Sequence, residues 1–182
     1  MVYVLLGDGF EEIEALAPVD LLRRAGIKVS TVTLTDELPV RGGHGITAQA
    51  DTTLGQIDFG AMEMLVLPGG GGVATISDTP AAMDLIERAW ESGKLIGAIC
   101  AAPSILAALS LVDGKRVVCH PTVADIVGGA GAKLQPDLPA VRDGNLITGK
   151  SAGAAMDFSL ELVAALSGTE ASDDLRRAIL YY

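Results

Sequence analysis

Apolar residues fall along this chain in short unbroken runs, separated by longer stretches in which they recur every three or four positions. Val2–Leu6, Met64–Leu67 and Leu95–Ile99 are runs without a charged side chain. Runs of that length with no polar alternation predict strands covered on both faces. Residues 27–34, rich in β-branched side chains, predict a further strand, and residues 117–119 and 146–148 two more, the last preceded by the turn Asp143-Gly144-Asn145. Helical spacing predicts helices over 11–25, closed by Gly26, and over Pro80–Glu91, with Thr79 as N-cap and Gly93 at the stop. It also predicts helices over 101–109, over 151–166 with Gly168 just past the end, and over 172–180. Pro18 falls inside the first helix, removes the bond to the Glu14 carbonyl and predicts a kink there. Residues 39–53 break the rhythm: short, Gly-rich and alternating, they read as a small hairpin or an edge insertion. Apolar strands alternating with helices predict an α/β fold with a mostly parallel sheet. No internal repeat, low-complexity tract or linker divides the chain, so one domain over residues 1–182 is expected.

Composition narrows the functional classes. Hydrophobic residues make up 49% and charged residues 20%, which excludes an intrinsically disordered chain. Thirteen basic against 23 acidic residues give a net charge of −10. No basic run offers a phosphate-binding stripe, so neither nucleic acid nor an anionic membrane surface is expected as a partner. Residues 95–112 carry no charge, but Pro103 interrupts them near the middle, and a buried strand followed by a buried helix explains the run. The first residues lack the basic start of a secretory signal and their apolar run stops at Gly7; a cytoplasmic protein is expected. Two cysteines, Cys100 and Cys119, exclude a disulfide framework.

In a parallel sheet, ligands bind beyond the carboxyl ends of the strands. That rule selects residues 7–14, residues 68–72, Cys100 and His120. Cys100 stands where a buried strand turns directly into a helix, the arrangement of a nucleophile elbow. A helix N-terminus favours thiolate over thiol, and the Ala101 N–H is placed to hold an oxyanion. The alternative is a structural cysteine of the core. Glu14 shares a helix face with Phe10, Ala17 and Leu21. Burial there would raise its pKa and keep it protonated; otherwise it is a partly exposed acid at a helix start. Glu11 and Glu12 suit the positive end of that helix. His120 reads either as a site residue or as a structural histidine. No Cys/His pair has zinc-binding spacing, and no metal is expected. The run Pro68-Gly69-Gly70-Gly71-Gly72 lacks the Lys-Ser/Thr ending of a phosphate loop. It serves either a tight turn or, through the Gly70 N–H, a second oxyanion donor.

The order GFEEIEALAPVDLLRRAGIKV, VLPGGG, GAICAAPSIL, CHP and LITGKSAGAAMDF resembles the ThiJ/PfpI superfamily, in particular its branch of cysteine-dependent glyoxalases and protein deglycases. The resemblance covers nearly the whole chain. It implies a flavodoxin-like sandwich like that of class I glutamine amidotransferases, a homodimer, no cofactor, and a small aldehyde or a glycated protein as substrate. It places the nucleophile on Cys100, the protonated carboxyl on Glu14, the neighbouring histidine on His120, and the oxyanion amides on Gly70 and Ala101. Peptidase members carry His after the Cys; Ala101 stands there instead, so peptidase activity is not expected. Lys150-Ser151-Ala152-Gly153 replaces the branch's usual Arg or Gln followed by Gly-Pro-Gly, and His44 stands where relatives often carry Arg. The same thiol, oxidised to sulfinate and hydrogen-bonded by Glu14, would instead serve an oxidative-stress sensor.

Overall fold

In the computed structural model, which describes residues 1–182, the three unbroken apolar runs lie side by side within a seven-stranded sheet. The chain begins with β1 (Val2–Leu6), α1 (Glu12–Arg24), β2 (Val29–Thr33), β3 (Pro39–Arg41), β4 (Thr47–Gln49) and β5 (Thr52–Thr53). It continues through β6 (Met64–Leu67), α2 (Gly72–Ser77), α3 (Pro80–Glu91), β7 (Leu95–Ile99), α4 (Pro103–Ala108) and β8 (Arg116–Val117). The remainder is α5 (Ala124–Gly129), β9 (Lys133–Leu134), β10 (Ala140–Asp143), β11 (Leu146–Gly149), α6 (Ala155–Ser167) and α7 (Thr169–Ala178). The large sheet has the order β10-β11-β7-β6-β1-β2-β5, parallel throughout except for β10 against β11. From β1 the chain steps to one side for β2 and to the other for β6, so the connections after β1 and β6 diverge. That divergence opens the crevice in which parallel sheets hold their ligands.

Alternation along each strand divides the core in two. Tyr3 and Leu5 of β1, with Leu65 and Leu67 of β6, face the layer formed by α2, α3, α4 and α5. Val2, Val4 and Leu6, with Met64 and Val66, face α1, α6 and α7. Gly97 of β7 lets α6 come close: a Cβ there would stand 2.8 Å from Leu162 Cδ2 and 3.1 Å from Phe158 Cζ. No helix is long and apolar enough to cross a membrane.

Several expectations change in detail. The 39–53 insertion is both things at once: β3 and β4 form an antiparallel hairpin, and β5 adds a parallel edge to β2. The 117–119 strand is outside the main sheet; β8 pairs instead with β9 in a separate two-stranded sheet. Sequence spacing shows no α2 and no β10, because both are short and carry no clear period of their own. α1 runs through Pro18 without ending. Thr79 occupies the N-cap position of α3, yet its hydroxyl donates backwards to the Thr75 carbonyl at 2.8 Å rather than capping.

Candidate active site

Cys100 directly follows β7 and has φ of 66°, one of three non-glycine residues with positive φ. The conformation is held from both sides. The Cys100 N–H donates to Gly149 O at 2.9 Å, and the Cys100 carbonyl accepts from His120 N at 2.8 Å. A side chain in left-handed backbone costs on the order of 1–2 kcal/mol. Two hydrogen bonds and the buried ends of β7 and β11 over-determine the bend, as the elbow reading requires. Cys100 is partly exposed, unlike a cysteine sealed in the core.

Glu14 lies on α1 directly beneath and is fully buried. Its Oε2 accepts the Gly69 N–H at 2.9 Å, while Oε1 is buried without a partner. The carboxyl and the Cys100 sulfur both border the α-carbon of Gly69, where an added Cβ would meet the carboxyl and stand 3.2 Å from the sulfur. Burial pushes its pKa up, and the charge of Glu11 adds to that, against the bonds from Cys100 and Gly69. An orphaned carboxyl oxygen beside a sulfur is accounted for when it carries the hydrogen and turns it toward a thiolate.

The backbone N–H groups of Ala101 and Gly70 favour the charged form of the sulfur. Gly70 has φ of 78°, and a Cβ there would stand 2.5 Å from Glu11 N and 2.7 Å from Gly9 O, so only glycine presents that amide. The helix end does not by itself make Cys100 a thiolate, contrary to the expectation from sequence. Burial and a charged Glu14 together push the Cys100 thiol up to about 12, outweighing the two amides. With the carboxyl protonated, its charge no longer opposes ionisation and its O–H donates to the sulfur, so the first contribution vanishes and the second reverses sign. Ionisation of Cys100 therefore depends on where Glu14 keeps its proton, more than on the six-residue α4.

His120 arrives beside the elbow through its backbone. Its ring does not bond to Cys100 or Glu14: Nδ1 lies 2.8 Å from Thr122 Oγ1 and accepts from Thr122 N at 3.3 Å. With Nδ1 accepting, the hydrogen of the neutral ring sits on Nε2, which is free of protein partners. Cys119 points the opposite way, buried against a small cavity of about 130 Å³ that Pro121, Leu134 and Lys150 also line. Lys150 donates to Pro136 O at 2.7 Å.

Sequence reasoning missed Gly69 and the partner of Glu12. A Cβ on Gly69 would stand 2.7 Å from Cys100 Cβ and would also meet the Glu14 carboxyl, so the first glycine after Pro68 is fixed by contact with both side chains. Glu12 does more than sit at a helix end: only 5% exposed, it bonds to His44, 32 residues away. Glu11, Glu12 and His44 bring their side-chain donor atoms within 4.8 Å of one another. His44 Nδ1 lies 2.9 Å from Glu12 Oε2 and 3.4 Å from Glu11 Oε1, the geometry of a proton-bearing ring between two carboxylates.

Comparison with known proteins finds relatives over nearly the whole chain. The model of the DJ-1/PfpI family matches residues 1–165. A Caenorhabditis elegans protein named glutathione-independent glyoxalase DJR-1.2 is 34% identical over 169 residues, covering 93% of this chain and 89% of its own. The crystal structure of a cysteine-to-alanine mutant of a DJ-1 superfamily protein from Salmonella typhimurium superposes with a TM-score of 0.93 at 38% identity, covering 100% of this chain and 98% of that one. Toxoplasma gondii DJ-1, solved in an oxidised form, superposes with a TM-score of 0.91 at 27% identity, covering 99% and 97%.

Proposed function

The chain belongs to the DJ-1/PfpI family, and on that premise we propose that it is a cofactor-independent glyoxalase and deglycase, one domain over residues 1–182, converting 2-oxoaldehydes such as methylglyoxal to 2-hydroxy acids. The observation that carries this reading is the buried Glu14 carboxyl set against a strained, partly exposed Cys100 whose charged form the Ala101 and Gly70 amides favour. The glyoxalase-named relative supports it.

The Cys100 thiolate attacks the aldehyde carbon and forms the C–S bond of a hemithioacetal. The Gly70 and Ala101 amides hold the alkoxide oxygen that develops. The proton on that carbon then passes to a base, and the adjacent carbonyl carbon receives one in turn, through an enediol. We assign these transfers to Glu14 and His120 Nε2. The product of the rearrangement is a thioester, and water cleaves its C–S bond to release the hydroxy acid and restore the thiol. Atoms balance with one water and no external oxidant. On a glycated protein the same attack would begin at the sugar-derived carbonyl.

Lactate formed from methylglyoxal tests the reading. Cys100→Ser should reduce it to background with the fold intact; Glu14→Gln and His120→Ala should each lower kcat by roughly 10²–10⁴. Undiminished lactate from Cys100→Ser overturns the mechanism.

A second reading, a cysteine-based oxidative-stress sensor, is favoured by the partial exposure of Cys100 beside a carboxyl able to donate to a sulfinate. The oxidised Toxoplasma gondii relative is consistent with it. Gain of two oxygens at Cys100 under mild peroxide, with negligible aldehyde turnover, would favour the sensor. We also place a homodimer contact on the exposed Ile13, Leu16 and Ile46, which gather on α1 and the β3–β4 hairpin. Two free thiols suit a reducing compartment such as the cytoplasm.

A further inference from the structure

The turn after β1 and the β3–β4 hairpin hold a charged cluster that the chemistry above does not use. Glu12 Oε1 accepts from the backbone of His44 at 2.8 Å and of Ile46 at 3.3 Å, and Oε2 lies 2.9 Å from His44 Nδ1. The carboxylate thus fixes both the hairpin loop and the imidazole it carries. The same Nδ1 lies 3.4 Å from Glu11 Oε1. Arg41, the remaining charged side chain of the hairpin, extends toward Gly45 instead.

Glu11 leads into the site. Its N–H donates to Gly69 O at 3.1 Å, and the Gly69 N–H donates to Glu14 Oε2 at 2.9 Å. Two further bonds tie the hairpin to the same turn: Gly43 N to Phe10 O at 2.8 Å and Gly9 N to Arg41 O at 2.7 Å. Hairpin, turn and site are therefore one connected body, with His44 at its outer end and the Cys100–Glu14 pair at its inner end.

The charges along this body alternate. A negative Glu11 makes loss of the proton shared by Cys100 and Glu14 costlier, as its charge on Glu14 already shows. A positive ring on His44 offsets that charge, and the two carboxylates sustain it: the hydrogen bond to Glu12, then the charges of Glu11 and Glu12, raise the affinity of the ring for its proton.

We infer that His44 is a positioning residue for the Cys100–Glu14 pair: held by Glu12, its positive ring balances Glu11 and so sets the pH at which the pair ionises. The inference rests on the Cys100–Glu14 reading of the site but on no aldehyde chemistry. It assigns regulation by pH to a residue outside the reacting atoms. When pH rises past the point where His44 gives up its proton, Glu11 is left unbalanced and the pair holds its own proton more tightly.

The rate of Cys100 alkylation by iodoacetamide, located by mass spectrometry and followed across pH, reads this directly. His44→Gln keeps the backbone bond to Glu12 and should move the midpoint upward by roughly 0.3–1 pH unit, the size of one partly screened charge. Glu11→Gln should move it downward. His44→Lys, which supplies a fixed positive charge, should bring the midpoint back to the wild-type value or below. In a Glu11→Gln background, the effect of His44→Gln should fall to less than half. A His44→Gln midpoint that coincides with wild type overturns the inference, as does an undiminished shift in that background. If His44→Gln does not fold, the downward shift of Glu11→Gln must stand by itself, and its absence is equally fatal. Loss of lactate formation with these shifts intact would defeat the glyoxalase reading and leave this one standing.

Discussion

Cys100 keeps a side chain at a backbone angle where glycine is the relaxed choice. Replacing it by Gly should therefore stabilise the fold by about 1 kcal/mol, a rise of roughly 2–4 °C in Tm for a chain of this size, while abolishing lactate formation. A lower Tm would mean that the thiol contributes packing that outweighs the strain. The neighbouring Gly69 makes the opposite case. Its α-carbon leaves no room for a methyl beside Cys100 and Glu14, so Gly69→Ala should cost stability and reduce Cys100 alkylation at neutral pH by more than tenfold. Cys100 and Glu14 were legible in the sequence because each breaks a local pattern: a thiol at a strand–helix junction, an acid in an apolar stripe. The dependence of the sulfur on the proton of Glu14 was not legible, since it arises only when residues 86 apart in sequence meet.

Among the elements, the hairpin β3–β4 is held by one carboxylate. Glu12 has its pKa lowered from 4.5 to about 2, against the effect of its burial, by the His44 side chain and the backbone N–H groups it accepts. A carboxyl lowered in the folded state stabilises above its unfolded value, and that contribution is lost as pH falls toward the folded one. Hydrogen exchange at the His44 and Ile46 amides should consequently accelerate between about pH 4.5 and 2, and Glu12→Gln should remove the pH step. Amides equally protected throughout that range would contradict the clamp. The β6–β7–α6 contact is tested differently: Gly97→Ala inserts a methyl 2.8 Å from Leu162 Cδ2 and should cost about 1–3 kcal/mol in urea unfolding. The central strands were readable because burial on both faces leaves an unbroken apolar run. β8 and β10 were misjudged or missed because two- and four-residue strands carry too little period to reveal which sheet they join.

For the molecule as a whole, the switch in strand order beside β1 decides where chemistry can occur, and helix α1 and three turns contribute one group each there. The sheet order follows from no single segment of sequence, yet the rule that sites lie at the carboxyl ends of strands was enough to select Cys100, Glu14, Gly70 and His120 before the order was known. His120 is the weakest of these placements, because its ring bonds to Thr122 rather than into the pair. The exposed Ile13 and Ile46 stand beside the charged cluster. An Ile13→Glu, Ile46→Glu double variant should elute and scatter light as a monomer; an unchanged dimer would place the contact on another face.

The chemistry of the site requires that Glu14 hold the proton and Cys100 the charge. Thiolate absorbance, titrated in a Cys119→Ser background so that one thiol remains, measures this without substrate. Thiolate should already be present at neutral pH, below the ordinary cysteine value of 9.0, and should be lost from that range when Glu14 is replaced by Asp or Ala. A sulfur that stays protonated until about 12, as a charged Glu14 would impose, contradicts it.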